Sequence, residues 1–176
     1  MKKMALALCA ASSLLSLPSH AESNFNYNYL GFRVGSEHGS LGVNISQAFH
    51  PNAYFFAEGD FDFEEYTNVN AGVGFNAPIG MWTDFYGRLS WRYSDWKEGS
   101  RDLDDNGAEF KVGVRQWITQ QLEVGGFVGI FSGDSNDGIF GGHVNFHATE
   151  LISLGASYHV NEPAGDTFWF DVRFNF

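Results

Sequence analysis

The sequence is poor in cysteine and in positive charge. Among 176 residues the only cysteine is Cys9, so no disulfide within the chain can stabilise the fold. Leu8 is too large for a lipoprotein cleavage site, which disfavours lipid attachment at Cys9. Ten Lys and Arg stand against 21 Asp and Glu, giving a formal net charge of −11. This balance disfavours nucleic-acid binding, which requires a basic surface.

Long apolar runs are also missing beyond the N-terminus. Residues 1–21 have the pattern of a secretory signal peptide: two lysines at positions 2 and 3, an apolar run over 4–17, and small residues in Ser19-His20-Ala21 at the −3 and −1 positions of a cleavage site. No later segment has the ~20 apolar residues of a membrane-spanning helix. We expect removal of the signal and a single domain over 22–176.

The last ten residues alternate strictly between two kinds of side chain. A β-strand points successive side chains to opposite faces, so the pattern predicts a strand with one wholly apolar face and one mostly polar face. The apolar parity consists of Phe168, Phe170, Val172, Phe174 and Phe176, and the other of Trp169, Asp171, Arg173 and Asn175. This segment resembles the closing strand of a bacterial outer-membrane β-barrel. The resemblance implies that Phe176, Phe174, Val172 and Phe170 are the signal recognised by the outer-membrane assembly machinery.

Period-2 segments between turn residues continue through the whole mature chain. They predict an all-β, closed antiparallel transmembrane barrel of ten strands, with eight as the alternative if two short strands belong to loops. The strands are predicted near residues 25–35, 41–49, 53–64, 67–77, 85–96, 108–118, 122–132, 139–148, 151–160 and 167–176. The first has apolar residues on both parities, which indicates a bulge or a late start.

The predicted inward faces carry the charge, while the outward faces have no Lys or Arg. We predict a lumen filled by a network of paired charges, because unpaired charges away from water are costly. Its members are Glu58, Asp60, Asp62, Arg88, Arg92, Glu109, Lys111, Arg115, Asp171 and Arg173. A channel lined by separate acidic and basic walls is the alternative.

Two further patterns carry chemistry. A hairpin around Glu150 would place His143 opposite Ser157, with Asp171 as the third member of a Ser-His-Asp set, although a polar lumen naturally contains such residues. The predicted loop from Lys97 to Asn106 includes Asp102, Asp104 and Asn106, which match the start of a calcium-binding loop. The glutamate that should complete this loop is replaced by Gly113, so we expect no metal site.

The sequence thus predicts a non-enzymatic protein of the Gram-negative outer membrane, with a structural or surface-contact role. The alternatives are a narrow porin-like channel for small solutes or ions and, third, a lipid- or peptide-hydrolysing enzyme. We expect no cofactor, a monomer, and contacts with outer-membrane lipid, lipopolysaccharide and the assembly machinery.

Overall fold

A computed structural model describes residues 24–36, 40–62, 66–98, 101–133, 136–162 and 165–176. The predicted signal peptide, residues 1–21, lies outside the described residues. Among the described residues, no helix is long and apolar enough to cross a membrane.

Ten antiparallel strands form one closed barrel, in which each strand pairs with its sequence neighbours and β1 pairs with β10. The prediction of ten strands is confirmed. The strands are β1 (Tyr29–Gly35), β2 (Leu41–His50), β3 (Ala53–Phe61), β4 (Tyr66–Gly80), β5 (Thr83–Glu98), β6 (Arg101–Trp117), β7 (Leu122–Ser132), β8 (Asn136–His147), β9 (Ile152–Glu162) and β10 (Gly165–Asn175).

The exterior of the barrel is apolar. Side chains such as Leu89, Trp91, Val128 and Phe170 are between 52% and 61% exposed, and they all point outward. An apolar surface that surrounds the molecule would be unfavourable in water, but it matches the hydrocarbon of a bilayer. The alternation therefore separates a lipid-facing exterior from a polar interior, as predicted.

The first strand starts late. Residues 24–28 precede β1, which begins at Tyr29, and Phe25 and Tyr27 turn into the barrel and are buried. Phe25 stacks on Trp117 with ring centroids 5.4 Å apart, and Tyr27 stacks on Tyr54 at 4.6 Å. These rings fill the end of the barrel that carries both termini. Because Phe25 and Tyr27 precede β1 and turn inward, the first predicted strand has apolar residues on both parities.

The prediction of a loop from Lys97 to Asn106 is wrong. β5 continues to Glu98 and β6 begins at Arg101, with Asp95 paired to Asp104 in the ladder. Crossing a bilayer takes only about 9–11 residues of strand. Strands of 16 and 17 residues therefore extend beyond the membrane, where outward residues need not be apolar and polarity no longer distinguishes strand from loop.

The interval between the predicted strands 122–132 and 139–148 is also shorter than expected. β8 already begins at Asn136. Residues 134 and 135 lie outside the described residues. Here too, polar side chains belong to a strand end rather than to a loop.

Candidate functional site

The first group of lumen charges joins β1, β3 and β5. Arg33 donates to both carboxylate oxygens of Asp60, each at 2.6 Å, and Asn68 donates to the same carboxylate at 3.1 Å. Arg88 donates to Glu58, which also lies 3.7 Å from the Arg33 guanidinium. Arg33 thus reaches across β2, and Arg88 across β4, to the carboxylates of β3.

Glu109 is the centre of a second group. Its Oε2 accepts a hydrogen bond from Arg92 at 2.7 Å, and its Oε1 accepts one from Asn70 at 3.0 Å and lies 2.8 Å from Lys111 Nζ. Two cations therefore share one carboxylate. The Arg92 guanidinium also lies 3.9 Å from the centroid of the Phe131 ring, a cation–π distance.

Glu123 is the centre of a third group that sequence reasoning did not identify. Arg115 donates to both of its oxygens, each at 2.8 Å. His143 Nε2, His147 Nε2 and Asn145 Nδ2 lie 3.1, 3.2 and 3.2 Å from the same carboxylate. Its position between the outward residues 122 and 124 could have shown that Glu123 points inward, whereas its partners depend on the registers of β6, β7 and β8.

Hydrogen bonds fix the orientation of one imidazole in this group. Because His147 Nε2 faces a carboxylate, it carries the proton, and Nδ1 accepts a hydrogen bond from the Ser153 hydroxyl at 2.9 Å. Asn175 Nδ2 in turn donates to Ser153 Oγ at 2.8 Å. This chain of bonds ties the closing strand β10 to the Glu123 group.

The remaining predicted lumen residues have different environments. Arg173 lies on β10 with its Nε 3.0 Å from the Asp171 carboxylate. Asp62 lies just beyond β3, where its carboxylate accepts a hydrogen bond from the backbone N–H of Tyr66 across the hairpin turn. Asp62 therefore also stabilises a turn outside the predicted network.

The structure separates the residues of the candidate catalytic set. His143 and Ser157 are direct partners in the β8–β9 ladder, as predicted. Asp171, however, pairs with Gly155 and forms its ion pair with Arg173, while His143 Nε2 contacts Glu123. The third member of the predicted set is thus engaged elsewhere.

The calcium-loop candidate lies in a strand. Asp102, Asp104 and Asn106 belong to β6, and alternate residues of a strand are about 6.8 Å apart. The segment is therefore an extended strand and not the turning backbone of a calcium-binding loop. Within the described ranges, no group of three or more His, Cys, Asp or Glu residues could hold a metal ion.

Burial differs between the two sides of the lumen. On the side formed by β2–β6, inward side chains are mostly buried, and the half-buried exceptions include Glu58, Arg88, Trp96, Leu103 and Trp117. Buried members of this filled side are Asn44, Tyr54, Phe56, Asn70 and Ser90.

On the side formed by β7–β10, inward residues such as Glu123, Asn145 and Trp169 are buried, but several other inward side chains stay half-buried. These residues, which define the half-open side, are Phe127, His143, Ser157, His159 and Arg173. In a closed barrel, an inward side chain away from the rims can be exposed only to the lumen. Accessible space therefore lies along this side.

Comparison with known proteins identifies the fold. No family model matches the chain, and no curated protein matches it. Two solved structures of the KdgM porin, one in complex with disordered oligogalacturonate, each align over 84% of this chain and 99% of theirs, with a TM-score of 0.53 and 9% identity. The Acinetobacter baumannii outer membrane protein Omp33 aligns over 86% of this chain and 99% of its own, at 8% identity and a TM-score of 0.46. The likeness to the two porin structures and the lipid-facing exterior together show a porin-like outer-membrane β-barrel.

Proposed function

We propose that the protein is a narrow porin-like channel for small solutes or ions, with its path along the half-open side of the lumen. The observation that carries this proposal is the exposure of inward side chains on β7–β10, away from the rims. A completely filled barrel would bury them, as it buries Tyr54 and Phe56 on the opposite side.

The size of the barrel sets the scale of the path. Eight strands enclose just enough space for side chains, whereas 16–18 strands leave a wide aqueous channel. Ten strands with one filled side leave a passage only slightly wider than the side chains themselves. Ions and small solutes fit such a passage better than oligomers.

The comparisons support the same proposal. The two aligned structures are porins, and one of them holds an oligosaccharide. At 9% identity this likeness concerns the fold, so the solute of this chain has to be inferred from its own lumen.

Single-channel recording in planar bilayers tests the proposal. We expect small openings from the unmodified protein and a lower conductance from Ser157→Phe, because the added ring would occupy the half-open side. The matched control is Leu154→Phe, which adds a ring to an outward side chain on the same strand that is 48% exposed. Unchanged conductance in Ser157→Phe would place the path elsewhere.

A structural role in the envelope is the second candidate, and the buried ion pairs favour it. Glu123 is fully buried beneath its donors, as expected of a core that stabilises the barrel rather than conducting ions. The absence of openings from correctly folded protein would support this second candidate and overturn the first.

A further inference from the structure

The charges of the lumen differ in accessibility according to their sign. Among the described residues, six ion pairs join an Arg or Lys to a carboxylate within 3.0 Å, and in each the cation is more exposed than the carboxylate. The difference is largest for Arg173, at 19% against 4% for Asp171, and for Arg115, at 10% against 0% for Glu123. Within each of these pairs, an ion in the lumen would therefore meet the cation more readily than the carboxylate.

The carboxylates are also occupied by donors. Glu123 accepts hydrogen bonds from one guanidinium, two imidazoles and an amide. Asp60 accepts two hydrogen bonds from the guanidinium of Arg33 and one from the amide of Asn68. Because these oxygens already accept several hydrogen bonds, few of their lone pairs remain to coordinate a passing cation in place of its hydration water. A guanidinium has five N–H groups, so an arginine bound to a carboxylate through one or two of them can still donate to an anion.

Lys111 connects these groups to the half-open side. Its ammonium lies 5.0 Å from the centroid of the Phe127 ring, and Phe127 is one of the half-buried residues of that side. Because Lys111 shares Glu109 with Arg92, this group of three carries one more positive than negative charge. The half-buried guanidinium of Arg173 adds further N–H donors along the same side.

From this arrangement we propose that the lumen selects small anions over cations, and that Lys111 is a determinant of this selectivity. The inference rests on the proposed channel function. A narrow path removes part of the hydration shell of an ion, so the groups that the ion can touch decide which charge passes. In this lumen the more exposed member of each ion pair is the cation, and Lys111, only 8% exposed, adds the excess positive charge beside the path.

The reversal potential in a KCl gradient across a planar bilayer tests the proposal. We expect the unmodified protein to reverse near the chloride equilibrium potential. Lys111→Gln should shift the reversal potential toward zero, while Glu109 keeps its bonds to Arg92 and Asn70. The control is Lys97→Gln, which removes the same charge from an exposed, outward-facing position on β5 and should leave the potential unchanged.

Glu109→Gln provides a test in the opposite direction. It leaves Arg92 and Lys111 without their shared negative charge, so the preference for chloride should increase. Folding of each variant is checked by its gel mobility before and after heating. Openings that reverse near the potassium potential would overturn the anion preference, and a Lys111→Gln variant that behaves like Lys97→Gln would overturn the role of Lys111. No openings from any folded variant would instead overturn the channel function itself.

Discussion

Replacement of Glu123 by glutamine should destabilise the barrel more than the same change from carboxylate to amide at an exposed position. The substitution keeps the size of the side chain but removes the negative charge opposite Arg115. Glu123 is fully buried and Arg115 is 10% exposed, so water compensates little of the loss.

The size of the effect follows from the burial of the pair. Removing one partner of a buried ion pair costs about 3–5 kcal/mol, because the other charge stays buried without compensation. The glutamine carbonyl can still accept one of the bonds that Arg115 now donates. We therefore expect a loss near the lower limit, about 3 kcal/mol in the free energy of unfolding.

Equilibrium urea unfolding in lipid vesicles, followed by tryptophan fluorescence, measures this loss. Glu150→Gln is the control, since Glu150 is exposed in the turn before β9, and its effect should stay within about 0.5 kcal/mol. The double variant Glu123→Gln/Arg115→Met removes both charges and should recover part of the loss. The reasoning is refuted if Glu123→Gln and Glu150→Gln unfold with the same free energy.

Three further predictions concern the lipid-facing exterior, the packing of the interior and assembly. Leu89→Arg should cost about 2–4 kcal/mol in the same unfolding assay because it places a charge in the bilayer, whereas Leu89→Met should cost far less. Gly74→Ala should cost about 1–3 kcal/mol since its Cβ would collide with the Tyr54 ring. Gly80→Ala, with nothing within 4 Å of the added carbon, should be close to neutral in that assay. Phe176→Ala should lower the amount of folded protein in the outer membrane, measured by gel mobility without heating, and a wild-type amount would argue against an assembly signal at the last residue.

Much of the architecture could be predicted because a lipid-facing barrel imposes a strict rule on every strand. Outward residues must be apolar to match the bilayer, and inward residues are freed from that requirement. The alternation of β10 from Phe168 to Phe174 follows this rule, and so do Leu41, Val43 and Ile45 on β2. Parity alone therefore identified the ten strands and most of their inward residues.

The rule ends where the strands leave the bilayer. The hairpin from Lys97 to Asn106 has polar residues on both faces, so its continuation as strand could not be distinguished from a loop. The Glu123 group was missed for another reason. Its donors come from β6 and β8, and they meet on one carboxylate only because Trp117 and Asn145 are its partners in the two ladders. Registers of this kind cannot be obtained from the alternation within a single strand.

The accessibility of the two sides of the lumen is the central claim of this account, and cysteine labelling tests it most directly. The only cysteine of the chain is Cys9, within the predicted signal peptide, so an introduced thiol would be the only one in the mature protein. Ser157→Cys on the half-open side should react with a small, water-soluble methanethiosulfonate in the folded barrel. Ser90→Cys on the filled side, where Ser90 is 7% exposed, should stay protected until the protein unfolds. Equal protection of both thiols in folded protein would contradict an accessible path along β7–β10.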